Sequence, residues 1–559
     1  MTDQPQERRQ TEIDGIAEAW TSEVVRLSPI AATYIGRTEV NDRYDDFSPA
    51  GHDDAIAAGR RTLAALEAAT PADDVDRVTQ TDLAAELRLT AELHEAGWHL
   101  RDLNVIASAV QDVRQVYDLM PTATAEDWAV IARRLDAVPE ALDGYVETLA
   151  EGIRRGVVPA ARQVREVAGQ IPRYTADDGF FASLVSGSAV ESASLPESLR
   201  SDLDRAATAA RAAYDRLAEF LTGALARAAT ETDAVGRDLY ALHSRRFLGA
   251  QIDLDETYEW GIEELARMTE EQESIARQIL PGATVAEAVA HLERDRSRKL
   301  VGTAALREWM QETSDRAVDE LGRTHFDIPE PIRTLECMIA PTQEGGIYYT
   351  GPTDDFSRPG RMWWSVPEGV TEFDTWRELT TVYHEGVPGH HLQIGQAVYN
   401  RAQLNSWRRL LAGTSGHAEG WALYAERLME QLGYLDDPAD RLGMLDGQRM
   451  RAARVVLDIG VHLGKPRPDG QGTWDADYAL DFLRANVNMP EEFVRFEVNR
   501  YLGWPGQAPS YKVGQRLWEQ VRDAYRVARG DRFSMKEFHK RALDLGGVGL
   551  DTLRTALLG

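Results

Sequence analysis

The residues best suited to chemistry lie in one short stretch of the chain. The eight residues His384–His391 read HEGVPGHH and contain three of the twelve histidines together with one carboxylate. Helical zinc sites usually follow the pattern H-E-x-x-H, in which two imidazoles bind the metal and the glutamate acts as general base. Here Pro388 occupies the position four residues after His384, and the next imidazoles follow at offsets of six and seven. The stretch therefore predicts a metal-binding motif that has been lengthened around the proline.

The first two residues of this stretch suit the activation of water. On a helix, His384 and Glu385 point about 100° apart and can flank one water molecule. Zinc lowers the pKa of such a water toward about 7, and a neighbouring carboxylate can accept its proton. The alternative is a buried histidine beside a capped glutamate in an ordinary helix.

Two histidines are candidates for the second metal ligand. In a regular helix, His391 returns to nearly the same face as His384, but roughly 10 Å further along the axis, which is too far for one ion. Pro388 removes a backbone hydrogen bond, and the flanking glycines allow unwinding. A widened turn would then bring His390 to the position that the second histidine of H-E-x-x-H normally takes, four residues after the first. We predict His390 as the ligand and keep His391 as the alternative.

The third ligand is expected from the helix that begins near Ser415. Glu419 and Glu426 lie seven residues apart, on one helical face, with Ala422 and Leu423 between them. Two carboxylates on a partly apolar face are costly unless they have partners. We predict Glu419 as a metal ligand and Glu426 as the group that holds a ligating imidazole. Two surface glutamates on an amphipathic helix are the alternative.

A stripe of charged residues follows at helical spacing. Arg451, Arg454, Asp458 and His462 are separated by three, four and four residues. They can form a ladder of salt bridges. Alternatively, the two arginines bind a substrate carboxylate, His462 stabilises a developing oxyanion, and Asp458 supports the site from behind.

The Gly/Pro-rich segment 505–514 presents two further polar side chains. The Tyr511 hydroxyl could stabilise an oxyanion, and Lys512 could bind substrate beside it. A loop that is anchored by an aromatic ring is the alternative interpretation.

The spacing of apolar residues indicates how these groups are held. Helical periodicity runs from Glu12 to about Leu280 and from Thr284 to Arg323, and Pro139 suggests a break between two helices. The segments Ile347–Thr350 and Met362–Ser365 are β-prone and predict a small antiparallel sheet.

Helices resume at about Phe373, beside this sheet. Tyr348 and Tyr349 could hold an extended substrate by strand addition. The predicted fold is mainly α, with a helical scaffold half at 1–330 and a metal-site half at 331–559, joined in one integrated body.

Composition excludes several classes of partner. The formal net charge of −29 argues against nucleic acid and against an anionic membrane surface. Cys337 is the only cysteine, which excludes an internal disulfide and a cysteine-based metal cluster. Met1–Gln10 is polar and charged, without an apolar signal segment, and no apolar run approaches the roughly 20 residues of a membrane span. We expect a cytoplasmic protein, and the sequence is compatible with a homodimer.

Four blocks together resemble one known family, the bacterial domain of unknown function 885. They are HEGVPGHHLQ from His384, EGWALYAE from Glu419, the stripe Arg451–His462 and the segment 505–514. The resemblance covers nearly the whole chain, and the fold of this family is similar to that of the helical metallocarboxypeptidases of the carboxypeptidase Taq type.

This resemblance implies a helical body split by a deep channel, with a zinc-type site on its floor. Residue by residue, it places metal ligands at His384 and Glu419 and the general base at Glu385. It aligns the second ligating histidine most simply with His390, after an insertion of two residues. The resemblance also implies that Tyr511 and His462 donate hydrogen bonds to the transition state.

The leading hypothesis is a zinc-dependent hydrolase, or one that uses another divalent metal. It would be a peptidase or carboxypeptidase that acts on short peptides through a metal-activated water. Hydrolysis or elimination on a small amino-acid-like metabolite, such as a small amide, is a second hypothesis. A metal-free scaffold that binds peptides without cleaving them is the third.

Overall fold

Helices dominate the chain, as the sequence predicted. The computed structural model describes residues 7–189, 195–340 and 346–559. The helices of its first part are α1 (Glu12–Leu27), α2 (Pro29–Tyr34), α3 (Pro49–Ala68), α4 (Asp74–Glu95), α5 (Ala109–Gln115), α6 (Ala125–Arg155), α7 (Ala161–Gln170), α8 (Pro172–Thr175), α9 (Phe180–Ser186), α10 (Glu197–Phe220), α11 (Ala226–Ala228), α12 (Arg237–Leu248), α13 (Leu254–Ile279), α14 (Val285–Leu292) and α15 (Thr303–Thr324).

The second part carries the helices that build the candidate site. They are α16 (Thr375–Glu385), α17 (His390–Tyr399), α18 (Ser415–Gln431), α19 (Pro438–Leu463), α20 (Ala476–Asn486), α21 (Glu491–Gly503), α22 (Ser510–Arg529), α23 (Met535–Leu543) and α24 (Leu550–Leu558). Within the described ranges, no helix is long and apolar enough to span a bilayer.

The break expected at Pro139 does not occur, because α6 passes through this residue without interruption. A proline in a helix removes one backbone hydrogen bond and crowds the preceding turn. On either side of it, Leu135, Val138 and Leu142 are buried in one apolar cluster with α10. Packing of this stripe therefore outweighs the local cost of the proline.

The small sheet forms where it was expected, with one pairing different from the prediction. The strands are β1 (Lys299–Val301), β2 (Leu335–Ile339), β3 (Ile347–Thr350), β4 (Gly360–Trp364) and β5 (Glu372–Asp374). β4 lies in the centre of its sheet, antiparallel to β3 but parallel to β2. β3 precedes β4 in sequence but forms the edge of the sheet. The chain then reverses into the central strand β4, which therefore runs in the same direction as β2.

A second, two-stranded sheet was not predicted. β1 pairs antiparallel with β5 and interrupts the helical segment expected from Thr284 to Arg323. β5 leads directly into α16, so this pairing fixes the start of the helix that carries the His-Glu pair.

The apolar core spans the boundary that was expected at residue 330. One cluster joins buried residues from α12 to α24, including those of all the site helices from α16 to α19. A separate cluster lies among α2, α5, α6, α7, α9 and α10. Polar contacts also join the first half of the chain to the second. Gln163 Nε2 donates to the Asn499 carbonyl at 2.8 Å, and the Gly549 amide donates to Asp82 at 2.8 Å.

The packing of α18 against α22 depends on glycines. A Cβ on Gly420 would lie 2.4 Å from the carbonyl carbon of Gly514, and a Cβ on Gly514 would lie 2.3 Å from the carbonyl oxygen of Gly416. Real Cβ atoms do not approach other atoms this closely, so the two backbones touch without side chains between them. This contact sets how close α22 comes to α18.

We expect Gly420→Ala to lower the free energy of unfolding by about 1–3 kcal/mol, because the added methyl group must push α22 away. Gly15→Ala in α1 is the matched control, since no atom lies within 4 Å of its Cβ. Gly15→Ala should leave the free energy of unfolding at the wild-type value or raise it by about 0.5–1 kcal/mol. Thermal unfolding followed by circular dichroism measures both, and an unchanged midpoint for Gly420→Ala would contradict the packing described.

Candidate metal centre

α16 brings His384 and Glu385 into the protein interior at its C-terminal end. The helix lies against α19 at Gly443, where a Cβ would be 2.1 Å from the Trp376 carbonyl oxygen. Only a glycine permits this approach. His384 and Glu385 are 5% and 6% exposed, so both are buried at the point where the helix ends.

The motif then turns sharply instead of continuing as a widened helix. α16 ends at Glu385, the Val387–Pro388 peptide bond is cis, and α17 begins at His390. A Cβ on Gly389 would lie 1.9 Å from the His384 carbonyl oxygen, so the returning chain touches the end of the first helix. The expectation of a stretched single helix was therefore wrong, because the segment around Pro388 ends one helix and starts another.

Trp421 of α18 holds this turn in place. Its indole Nε1 donates to the carbonyl oxygens of Pro388 at 2.9 Å and of Gly389 at 3.2 Å. Trp421 is fully buried, and α18 also carries Glu419. The same helix thus positions the turn and offers a carboxylate to it.

Three potential metal-binding atoms converge at this point. Ligand atoms of His384, His390 and Glu419 all lie within 4.8 Å of one another. Nε2 of His384 is 3.3 Å and Nε2 of His390 is 3.6 Å from Glu419 Oε2. That oxygen is buried and makes no hydrogen bond to any residue that the structure describes. Two imidazole nitrogens and a carboxylate oxygen are a donor set that suits zinc.

The charges of the cluster favour a cation as well. Burial lowers the pKa of His384, but the carboxylates of Glu419 and Glu426 more than offset this and raise it to about 10. Burial raises the pKa of Glu419, but His384 and His390 bring it well below its usual value. The buried carboxylates therefore stabilise positive charge on the side of His384 that faces Glu419, whether a proton or a metal carries it.

Glu426 lies behind His384, where it was predicted. Its Oε1 accepts a hydrogen bond from His384 Nδ1 at 2.7 Å, and its side chain is 2% exposed. A carboxylate that accepts from one ring nitrogen leaves the other nitrogen free to bind a metal.

His391 is engaged elsewhere and does not join the cluster. Its Nε2 donates to the Ile332 carbonyl at 2.7 Å, and its Nδ1 accepts from the Tyr349 hydroxyl at 2.9 Å. Burial lowers its pKa to about 4, so the ring is neutral and both nitrogens are occupied. A Cβ on Gly360 would lie 2.1 Å from the Tyr349 hydroxyl, so this pair also requires glycine at the start of β4. Between the two candidates, the geometry favours His390.

Glu385 and Tyr511 face the cluster with free polar groups. The Glu385 carboxylate has no hydrogen-bond partner among the described residues, and burial raises its pKa. Tyr511 lies in the first turn of α22, and burial together with the Glu419 charge raises its pKa. Both groups thus lie close enough to the cluster for its charges to influence their pKa values.

The two arginines of the α19 stripe differ in their partners. Arg454 is 4% exposed, donates to Tyr501 at 2.7 Å and pairs with Glu497 at 2.8 Å. Arg451 has no carboxylate within ion-pair distance among the described residues, and its Nε is buried without a hydrogen bond. Its guanidinium carbon lies 5.9 Å from the centre of the Tyr511 ring. Arg451 is therefore the stripe's available cation, whereas Arg454 is committed to the fold.

The structure does not bring His462 to the cluster. Its Nε2 donates to the Tyr501 carbonyl at 3.0 Å, and its Nδ1 accepts from the Val235 amide at 3.4 Å. It lies 14 residues beyond Gln448, which touches Glu426, and that spacing corresponds to about 21 Å along α19. Both ring nitrogens are occupied, so none is free for an oxyanion.

Asp458 and Lys512 are also committed to other contacts. Asp458 accepts from the Tyr240 hydroxyl at 2.6 Å and the Gly506 amide at 2.9 Å, so it anchors the segment before α22. Burial raises its pKa to about 7. Lys512 is 2% exposed and contacts Gln448 at 2.7 Å, not the space beside Tyr511.

Of the two tyrosines on β3, only one is accessible. Tyr348 is 40% exposed, and its ring stacks on that of Trp363 with the ring centres 6.2 Å apart. The Tyr349 hydroxyl is hydrogen-bonded to His391. On the opposite edge of the sheet, Gln311 bonds to the backbone of β2 on both sides of Glu336. That edge is covered, so β3 is the edge at which a strand could be added.

Sequence reasoning missed two residues of the site. Gln448 donates to Glu426 Oε2 at 3.2 Å, and Trp421 anchors the turn. Gln448 lies three residues before Arg451, so extending the helical stripe by one turn would have found it. Nothing in the local pattern distinguishes Trp421 from an ordinary core residue.

The fold and this site define a mainly helical protein with a buried cluster of two histidines and a glutamate. Residues 29–557 match the family described as "Bacterial protein of unknown function (DUF885)", and the chain belongs to that family. This confirms the family predicted from the motifs. No curated protein matches the sequence.

Two solved structures share the fold of this chain. The crystal structure titled "putative lipoprotein" from Colwellia psychrerythraea has 21% identity and a TM-score of 0.84, covering 98% of each chain. A second, titled "putative lipoprotein of unknown function" from Shewanella oneidensis, has 17% identity and a TM-score of 0.74, covering 98% of this chain and 100% of that chain. A Pyrococcus furiosus carboxypeptidase has 13% identity over 98% and 96% of the two chains, and its TM-score of 0.35 carries no argument.

The different roles of the two arginines can be tested by stability. Arg454→Met should lower the free energy of unfolding by about 3 kcal/mol, because it removes one of the two arginines that pair with the buried Glu497 and leaves Arg500 and the Tyr501 hydroxyl. Arg451→Met should change it by less than about 1 kcal/mol, since no ion pair is lost. Urea unfolding of both variants measures the difference, and equal losses would contradict the assignment.

Proposed function

We propose that this protein is a metal-dependent hydrolase of short peptides. His384, His390 and Glu419 would hold zinc or another divalent metal. The observation that carries this proposal is the convergence of three potential ligand atoms within 4.8 Å, one of them a carboxylate oxygen without a hydrogen bond to any described residue. A metal bound there would act as a Lewis acid on the scissile carbonyl and make water a better nucleophile.

Glu385 is the group that would move protons. It follows His384 directly, and its buried carboxylate is not consumed by any contact to a described residue. Burial raises its pKa, which makes it a better proton acceptor than an exposed glutamate. We assign it to take a proton from the attacking water and to deliver it to the leaving amine.

Tyr511 and Arg451 would bind the substrate on the other side of the cluster. The Tyr511 hydroxyl, which makes no hydrogen bond within the described part of the chain, would donate to the carbonyl oxygen as that oxygen gains charge. Arg451, whose guanidinium lies over the same ring, would bind the terminal carboxylate of the peptide. An unpaired cation beside the reacting groups favours substrates with a free C-terminus.

β3 would support the rest of an extended peptide. Its outer edge is free of strand partners among the described residues, and Tyr348 is exposed there. Addition of a peptide strand to such an edge uses backbone hydrogen bonds, which tolerate varied side chains. A small amino-acid amide is too short to reach β3 and would contact the cluster alone, so this class is a second candidate substrate.

We also propose that the protein is located in the cytoplasm. The two structures with the same fold are titled as lipoproteins, and that description applies to those proteins. Fractionation of cells that express the full-length native gene would decide between the cytoplasm and a membrane-attached or exported form.

The metal assignment predicts different outcomes for the adjacent histidines. We expect near-stoichiometric zinc in the wild type and its loss in His384→Ala, His390→Ala and Glu419→Ala. His391→Ala should retain the metal, because both nitrogens of that ring are bound elsewhere. Elemental analysis of folded, desalted protein measures this. Zinc retained in His390→Ala but lost in His391→Ala would reverse the assignment, and no zinc in the wild type after incubation would refute the metal centre.

The role of Glu385 predicts loss of turnover without loss of metal. Glu385→Gln should retain zinc and lower kcat by about 10²–10⁴-fold, since it removes the proton acceptor. The assay is mass spectrometry of short peptides, each offered as free acid and as C-terminal amide, together with small amino-acid amides.

We expect cleavage of free-acid peptides in preference to their amides. Cleavage of small amides alone would favour the metabolite hydrolase. Peptide binding without any product would favour the non-catalytic scaffold. Near-normal turnover by Glu385→Gln would remove Glu385 from the proposed role.

A further inference from the structure

We propose that Lys512 is a positioning residue that sets the metal-binding face of His384 through Gln448 and Glu426. This inference rests on the proposed metal centre and concerns how the chain prepares it. Lys512 lies on α22, Gln448 on α19, Glu426 on α18 and His384 on α16. The four residues form one continuous buried series of hydrogen bonds between these helices.

Lys512 begins the series as a donor. Its Nζ lies 2.7 Å from Gln448 Oε1, 2.9 Å from Gln515 Oε1 and 3.1 Å from Glu264 Oε1. A lysine ammonium has three hydrogens and no acceptor. Three acceptors therefore use all of its hydrogens, and none is left for a substrate.

This contact fixes the orientation of the Gln448 amide. The ammonium can only donate, so the oxygen of the amide must face Lys512 and its nitrogen must face the other way. Nε2 indeed faces two acceptors, Glu426 Oε2 at 3.2 Å and the Leu423 carbonyl at 3.4 Å. Gln448 is fully buried, so bulk solvent cannot satisfy the opposite orientation of its amide.

The orientation of Gln448 in turn fixes Glu426. With Oε2 accepting from Gln448, Oε1 faces His384 Nδ1 at 2.7 Å. A carboxylate accepts the Nδ1 hydrogen, which leaves His384 Nε2 directed at Glu419 and His390. If the amide were reversed, its oxygen would face the carboxylate, and Glu426 would have to rotate or take up a proton.

Zinc affinity is the direct readout of this series. Groups that hold a ligating histidine from behind change metal affinity by about 10–100-fold when they are removed. We therefore expect Lys512→Met to weaken zinc binding by about tenfold or more at pH 7, although Lys512 touches no proposed ligand. Competition with a chromophoric chelator measures the Kd of the folded protein, with zinc alone as the probe.

Two matched variants separate this role from a general loss of packing. Glu264→Gln removes the charge partner of Lys512 but leaves its hydrogen bond to Gln448, so zinc affinity should stay within about threefold of wild type. Lys465→Met removes another shielded lysine, which pairs with Asp255 and is 16% exposed, and should behave likewise. Lys512→Arg retains a donor and should recover part of the affinity.

A double-mutant cycle tests whether Lys512 acts through Gln448. Gln448→Met should weaken zinc binding at least as much as Lys512→Met. The double variant should be no weaker than Gln448→Met alone, whereas independent effects would multiply. This non-additivity is a readout that a merely structural lysine would not produce.

The outcomes distinguish this inference from the proposed function. If the wild type binds no zinc, both fail. If the wild type binds zinc and His384→Ala does not, but folded Lys512→Met binds within threefold of wild type, the positioning role alone is overturned. Multiplicative losses in the double variant would overturn it as well.

Discussion

Negative charge buried around two imidazoles is the constraint on which the site depends. Glu385, Glu419 and Glu426 approach His384 and His390 inside the protein, where unpaired carboxylates are costly. Each carboxylate has a different surrounding. Glu426 is bound by His384 and Gln448, and Glu419 Oε2 faces two ring nitrogens. Neither Glu419 Oε2 nor the Glu385 carboxylate makes a hydrogen bond to a residue that the structure describes. These differences allow three carboxylates of one cluster to be assigned to three tasks.

The backbone meets this constraint through contacts that exclude side chains. Gly389 brings the start of α17 against the end of α16, and Gly443 brings α16 against α19. Gly420 and Gly514 do the same for α18 and α22. A methyl group at any of these positions would separate two elements that each carry a polar residue of the site. The cluster is therefore as much a product of backbone packing as of its ligand atoms.

Charged residues on α19 divide into those that build the protein and those that remain available. Arg454, Asp458 and His462 bond to neighbouring helices and segments, whereas Arg451 has no carboxylate within ion-pair distance in the part of the chain that the structure describes. Lys512 on α22, which the sequence placed beside a substrate, is likewise committed to contacts with other helices. The spacing on one helix makes these residues equivalent, and only the surrounding helices make them different.

The sequence by itself determined the helical class, both strands of the expected hairpin and the family, because apolar periodicity and local motifs depend on neighbours along the chain. It also predicted three residues that the structure brings together, since His384, His390 and Glu419 belong to short motifs that can be read locally, one in each of α16, α17 and α18. Tertiary structure decided the choice between His390 and His391, because Ile332 and Tyr349, distant in sequence, occupy both nitrogens of the second ring. It likewise decided the continuous helix through Pro139 and the parallel pairing of β2 with β4. Burial and cross-helix hydrogen bonds control these features, and neither can be read from residue spacing on one segment.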